Sequence, residues 1–274
     1  MRKTMMMCLV AVSMMLTAPL GFAQTRPGFA IGIEQLNYGY SERFEGQTVA
    51  KDKGGFFGVS AAYTKTFGNK NFFRSTIAID GGSVDFRSDD GTRLDNVDQM
   101  FGKLELDLGR DFKLHNGTTI SPFIGLADRA LNDYSGELVA DNGMMGYDRH
   151  VAYRYIPLGA ATTFPIRGAA TLTISGQYNW ITGGHVKSDF SKLDPEMPDI
   201  EVPLNGGSGY ELVAMFNVPF RNRVVSVGPF VSAWRIHQSK EVMLNDPEGS
   251  GDTLVLLEPA SRTTKAGVRL TFSF

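Results

Sequence analysis

From Gly28 onward the chain alternates apolar and polar residues with a period of two. That is the pattern of strands whose two faces meet different surroundings. Residues 100–114 show it most clearly. Met100, Gly102, Leu104, Leu106, Leu108, Phe112 and Leu114 alternate with Phe101, Lys103, Glu105, Asp107, Gly109, Asp111 and Lys113, while Arg110 interrupts the apolar set. A pleated strand sends the two sets to opposite sides, one greasy and one charged with both signs. Residues 171–181, 210–220 and 265–274 repeat the pattern, and Phe57, Val59, Ala61, Tyr63 and Phe67 set the phase of an earlier strand. The phase breaks twice, between Ile33 and Leu36 and at Gly81-Gly82, where a bulge or glycine kink is expected.

The links between strands alternate in length. Short ones fall at 68–70, 115–117, 165–168 and 221–223, rich in Gly and Asn as tight hairpins are. Long ones fall at 41–54, 87–96, 132–147, 183–207 and 238–260, rich in Asp, Gly, Ser and Pro. Short turns on one rim and long loops on the other distinguish a membrane barrel from a soluble sandwich. Aromatic residues near the ends of the apolar faces (Phe67, Phe112, Trp180, Tyr210, Phe220, Phe274) fit interfacial girdles. The expected fold is all-β: an antiparallel transmembrane β-barrel of about ten strands, with short periplasmic turns, long extracellular loops and both termini on the periplasmic side.

The first 23 residues read differently. Arg2 and Lys3 precede an apolar stretch over 5–16, and Ala18 to Ala23 offers small residues for cleavage after Ala23. We expect a signal peptide over 1–23 and a barrel over 24–274, exported to the cell outer membrane. Cleavage would remove Cys8, the only cysteine, and with it any disulfide or thiolate metal site. It would also take Lys+Arg from 27 to 25 against 29 acids, a net charge of −4. That balance gives no reason to expect nucleic acid as a partner.

The chain closes on an alternating strand with Val268, Leu270, Phe272 and a terminal Phe274. This resembles the C-terminal assembly signal of Gram-negative outer-membrane proteins, which implies the barrel-assembly machinery as a partner during biogenesis. Two strand openings, Ser121-Pro122-Phe123-Ile124-Gly125 and Gly228-Pro229-Phe230-Val231-Ser232, are similar to those of small outer-membrane barrels of the opacity-like class, although Ser232 stands where that pattern has Gly. The resemblance implies a monomer surrounded by outer-membrane lipid and lipopolysaccharide.

Candidate chemistry is sparse. Lys103, Glu105, Asp107, Arg129, Glu211, Lys265 and Arg269 are the candidate lumen-lining residues; in a narrow barrel, opposite charges should pair and fill the space. His115 falls in a short turn, whereas His150, His185 and His237 fall near the long-loop rim with no metal-ligand spacing. Asp148-Arg149-His150 places a carboxylate and an imidazole on one face of a strand. It resembles half of the site of the omptin proteases, whose other half is an acidic pair; Asp89-Asp90 or Asp95 with Asp98 are the nominees. The flanking residues do not match. The sequence therefore points to a non-enzymatic surface or structural barrel with no cofactor and no metal, its loops offering a surface to an extracellular ligand. A narrow solute channel and an omptin-like rim protease are the alternatives.

Overall fold

A computed structural model describes residues 27–274, apart from 69, 194 and 246–252. The expected signal peptide and Cys8 lie outside the described residues. Ten long strands follow one another as an antiparallel meander: β1 (Gly28–Phe44), β2 (Gln47–Phe67), β3 (Asn71–Ser88), β4 (Arg93–Arg110), β6 (Thr119–Asp133), β7 (Arg149–Pro165), β8 (Thr171–Ser188), β10 (Gly207–Phe220), β11 (Arg223–Ile236) and β14 (Ala260–Ser273). The first and last strands pair along their length, from Ala30 with Ser273 to Arg43 with Ala260, so the sheet closes into a barrel without a free edge. Four short strands complete the set. β5 (Phe112–Lys113) and β9 (Ile200–Pro203) add to β6 and β8, and β12 (Val242–Asn245) pairs with β13 (Thr253–Leu256).

The lower half of the wall carries the apolar face outward. Phe29, Ile31 and Ile33 on β1, Phe57 and Val59 on β2, Leu104, Leu106 and Leu108 on β4, and Leu212 and Phe216 on β10 are all exposed. In a soluble protein so much exposed apolar surface would be a liability; here it is the band that meets hydrocarbon. Aromatic residues mark both edges. Trp180 and Tyr210 stand exposed at the upper edge, where Tyr210 packs on Tyr178 with ring centroids 5.2 Å apart. At the lower edge, Arg110, Arg221 and Arg223 lie over Phe112, Phe220 and Phe274 at 5.5, 5.5 and 4.8 Å.

Above the band the polarity inverts. On β1 the outward residues become Gln35 and Asn37, and Leu36 and Tyr38 turn inward and are buried. This is the phase break between Ile33 and Leu36. The pairing of β1 with β2 and β14 runs through it without a register shift, so the expected bulge there is not present. The strand is regular, but the medium outside it changes from lipid to water. The break at Gly81-Gly82 is also in register; the irregularity on β3 falls between Val84 and Phe86.

Two of the expected long loops are strand. The link expected over 41–54 is a two-residue turn, Glu45-Gly46, with φ of 50° and 83°, the left-handed pair that a tight hairpin needs. The link expected over 87–96 shrinks to 89–92. Lys51-Asp52-Lys53 reads as loop by composition, yet its alternation is that of a wall with water outside and a packed interior. The strand expected over 100–114 breaks at Asp111, which is buried and accepts a hydrogen bond from Ser121 Oγ at 2.6 Å. The described residues of the remaining long connections, 134–148, 189–206 and 237–259, lie on the upper rim.

Candidate functional site

The lumen comes first, because the seven expected lining residues point charges into it from four strands. Lys103, Glu105 and Asp107 face inward from β4, Arg129 from β6, Glu211 from β10, and Lys265 and Arg269 from β14. The structure brings them together with partners that sequence reasoning did not single out. Lys265 Nζ donates to Asp80 Oδ2 at 2.7 Å, Arg269 Nε to Glu34 Oε2 at 2.6 Å, and Arg74 Nη2 to Asp107 Oδ2 at 2.8 Å. Glu105 accepts the Tyr155 hydroxyl at 3.0 Å, with Lys103 Nζ 3.8 Å away. Arg129 is held among rings, its guanidinium 4.7 Å from Trp234, 5.0 Å from Phe101 and 5.7 Å from Tyr153. Lys265 Nζ sits 3.6 Å from the Phe101 ring. The cavity left among these groups is only about 50 Å³, too small for a continuous water column. Glu34 and Asp80 were legible in principle, since each lies on the polar phase of its strand.

Above this plug the barrel holds an apolar layer of Leu36, Tyr38, Phe56, Val84, Val97 and Phe101, on which Leu138 and Ala140 of the 134–148 loop pack from above. That loop is pinned down by Asp141 N–H to Arg93 O at 3.2 Å and Asn142 Nδ2 to Thr92 Oγ1 at 2.9 Å. Beside it lies a buried acidic group. Gln99 Nε2 donates to Asp133 Oδ2 at 2.6 Å and approaches Asp52 Oδ2 at 3.3 Å. Burial lifts the Asp52 carboxyl to about 7, with the charge of Asp133 adding to the lift. Its neighbours Lys51 and Lys53 point outward into water, so this group lies above the apolar band. Arg149 then spans the mouth from β7, donating to Glu42 Oε1 at 2.9 Å and to Glu258.

Asp148 and His150 meet in one rim cluster, linked through Lys192 and Asp189. Asp148 accepts from Gly136 N–H at 2.8 Å and from Lys192 Nζ at 2.8 Å. His150, paired with Lys187 across β7 and β8, sits on the other side of the wall from Arg149. Its Nδ1 lies 2.9 Å from Asn132 Oδ1 and its Nε2 3.3 Å from Asp189 Oδ2. Asp189 is in turn clamped by Lys187 at 2.8 Å and Lys192 at 3.0 Å; the Lys187 hydrogen bond leads in holding its carboxyl well below the usual carboxylate range. The nominated acidic partners are occupied locally: Asp90 accepts Thr92 N–H, Asp95 pairs with Arg87, and Asp98 accepts Ser83 Oγ. His185 pairs weakly with Glu201 at 3.9 Å. Among the described residues no cluster of His, Cys, Asp and Glu has the geometry of a metal site.

A closed antiparallel meander of ten strands with an outward apolar band is the fold of outer-membrane β-barrel proteins. Solved structures of that class superpose on it: the outer membrane protease OmpT from Escherichia coli at 12% identity, covering 93% of this chain and 99% of that one with a TM-score of 0.59. The β domain of the Bordetella autotransporter BrkA matches at 12% identity over 90% and 100% of the two chains with a TM-score of 0.41, and a COG4313 outer membrane channel from Pseudomonas putida at 9% over 94% and 100% with 0.40. At such identities the OmpT likeness describes the fold alone. No protein-family model and no curated protein sequence matches the chain.

Proposed function

We propose that this chain is an integral outer-membrane barrel that serves as a non-enzymatic, adhesin-like surface protein. The observation that carries the reading is where exposed apolar side chains remain beyond the membrane band. The 134–148 loop turns back on itself through a bridge between Val139 and Met145, and presents Val139, Met144 and Met145 to solvent. Met197 and Met243 of the neighbouring connections are exposed as well. Methionines are adaptable contact residues and recur on surfaces that bind other proteins. The loop beneath them is fixed by Leu138 and Ala140, so the tip is held up on a rigid base.

The test is adhesion of the refolded protein, on beads, to cultured host cells and matrix proteins. Val139→Ser with Met144→Ser and Met145→Ser should abolish adhesion while the heat-dependent gel shift of a folded barrel is unchanged. Adhesion equal to wild type in that variant would overturn the assignment to this loop, and no adhesion by wild type would overturn the role. The C-terminal residues Val268, Leu270, Phe272 and Phe274 fit the proposed assembly signal: their strand seals the barrel, and Phe274 N–H donates to Phe29 O at 2.8 Å. The omptin-like alternative predicts that His150→Ala destroys a peptide-cleaving activity. The occupied surroundings of Asp148 and His150 speak against it.

A further inference from the structure

On the outer wall just above the apolar band, four adjacent strands carry cations with no acid among them. The outward positions are Arg235 on β11, Arg262 on β14, Arg43 on β1, and Lys51 and Lys53 on β2, all exposed. Arg235 stands directly opposite Arg262 in the ladder. Like charges in that position repel and cost stability. Next along the row come Ser41, opposite Arg262, and Lys51, opposite Ser41. None of the five makes an ion pair among the described residues, and the one acid beside them, the exposed Asp85 of β3, stands opposite Lys53 at the edge of the patch. The opposite wall is different: there the outward Arg154 is neutralised by Asp128 at 3.1 Å.

Below the cations the wall is recessed. Ala233, Thr264 and Gly39 form one row, which Lys53 closes on the β2 side, and Val231, Ala266, Asn37 and Gly55 form the next. A methyl group built on Gly39 or Gly55 would meet nothing within 4 Å. Beneath this shelf, on either side of Gln35, the exposed apolar side chains of Val268 and Phe57 begin.

We propose that this patch binds the phosphorylated headgroup of a glycolipid in the leaflet surrounding the barrel. An unneutralised cation row, a shelf of small residues and hydrocarbon-facing residues stacked in that order match phosphate, sugar and acyl chain. The inference rests on the outer-membrane reading given above. Basic side chains clustered at a charged lipid surface act together, so several of them select strongly for phosphate.

The experiment uses the full mature chain refolded in neutral detergent, with native mass spectrometry or co-purification reading bound lipid. The probes are bisphosphorylated lipid A, the same lipid after phosphatase treatment, and inorganic phosphate. Wild type should retain the phosphorylated lipid at least about tenfold better than the dephosphorylated one. The variant with Arg235→Gln, Arg262→Gln and Lys51→Gln should lose that preference, and Lys51→Arg should keep it. Lys113→Gln, at the far rim, should leave it intact. Equal retention of the two lipids, or an unchanged preference in the triple variant, would overturn the proposal. Displacement by millimolar phosphate would show a free-anion site and overturn the lipid assignment. Folding is read independently from the gel shift, so a barrel that fails to form or to partition into bilayers counts against the membrane reading and not against the patch.

Discussion

At the scale of single residues, the informative groups are those buried with charge. Asp52 is nearly inaccessible, and its carboxyl titrates at about 7 in the folded chain. In the unfolded chain it titrates near 4, at about the value of a free aspartate. Between those values the folded state holds a proton that the unfolded state has released, so this group makes stability fall as pH rises from about 4 to 7. Below that window both states are protonated and there is no penalty; above it the penalty is complete. Asp52→Asn should therefore stabilise the barrel by about 2 kcal/mol at pH 8 and by nothing at pH 3.5, as measured by urea unfolding in lipid vesicles. Lys265 is the opposite case. It is paired with Asp80 and seated on Phe101, so Lys265→Ala strands a buried carboxylate and should cost about 3–5 kcal/mol. Lys265→Met together with Asp80→Leu should recover most of that loss in the same unfolding measurement, because the pair's attraction is offset by its desolvation.

At the scale of strands, alternation made the fold legible and also explains where the reading went astray. The apolar face of 100–114 is the outward face of β4, and Lys103, Glu105 and Asp107 occupy its inner face as their phase implies. What periodicity alone does not reveal is which side is wet. Lys51-Asp52-Lys53 and Gln35-Leu36-Asn37 keep the period but exchange inside for outside, so a test for one apolar face reads them as loop or as a break. The rim contacts were hidden for another reason: Arg149, Glu42 and Glu258 lie far apart in the sequence and meet only across the mouth. Strand packing also makes unequal demands on glycine. A Cβ on Gly228 would lie 1.8 Å from Ala214 O, where the β10–β11 ladder skips Ala214 and Met215, whereas Gly55 faces open space. Gly228→Ala should lower stability by about 2 kcal/mol or more, and Gly55→Ala should change it by under about 0.5 kcal/mol. Paired thermal gel-shift curves distinguish the two.

At the scale of the whole molecule, three closures lie in series along the barrel axis. The charge-and-ring plug fills the membrane-level lumen, the apolar layer around Tyr38 and Phe56 sits above it, and Arg149 with the 134–148 loop spans the mouth. The two lower closures stop a column of water whether or not the mouth is shut, so removing the mouth alone should not open a path. In planar bilayers the wild-type chain should show no steady conductance. Arg149→Ala, which frees the rim, should remain silent. Phe101→Ala with Trp234→Ala and Arg129→Ala should produce leak events, because it deletes the rings and the cation that hold the centre together. If Arg149→Ala alone conducts, the mouth is the sole barrier and the lumen below it is wider in a bilayer than its packing implies. If wild type conducts, the channel alternative replaces the surface-protein reading. The comparison is decisive because the plug is built from paired charges and rings packed at tilted angles. Opening it without substitutions would require breaking Lys265–Asp80 and Arg269–Glu34 together, each in a low-dielectric interior where separating the partners is costly.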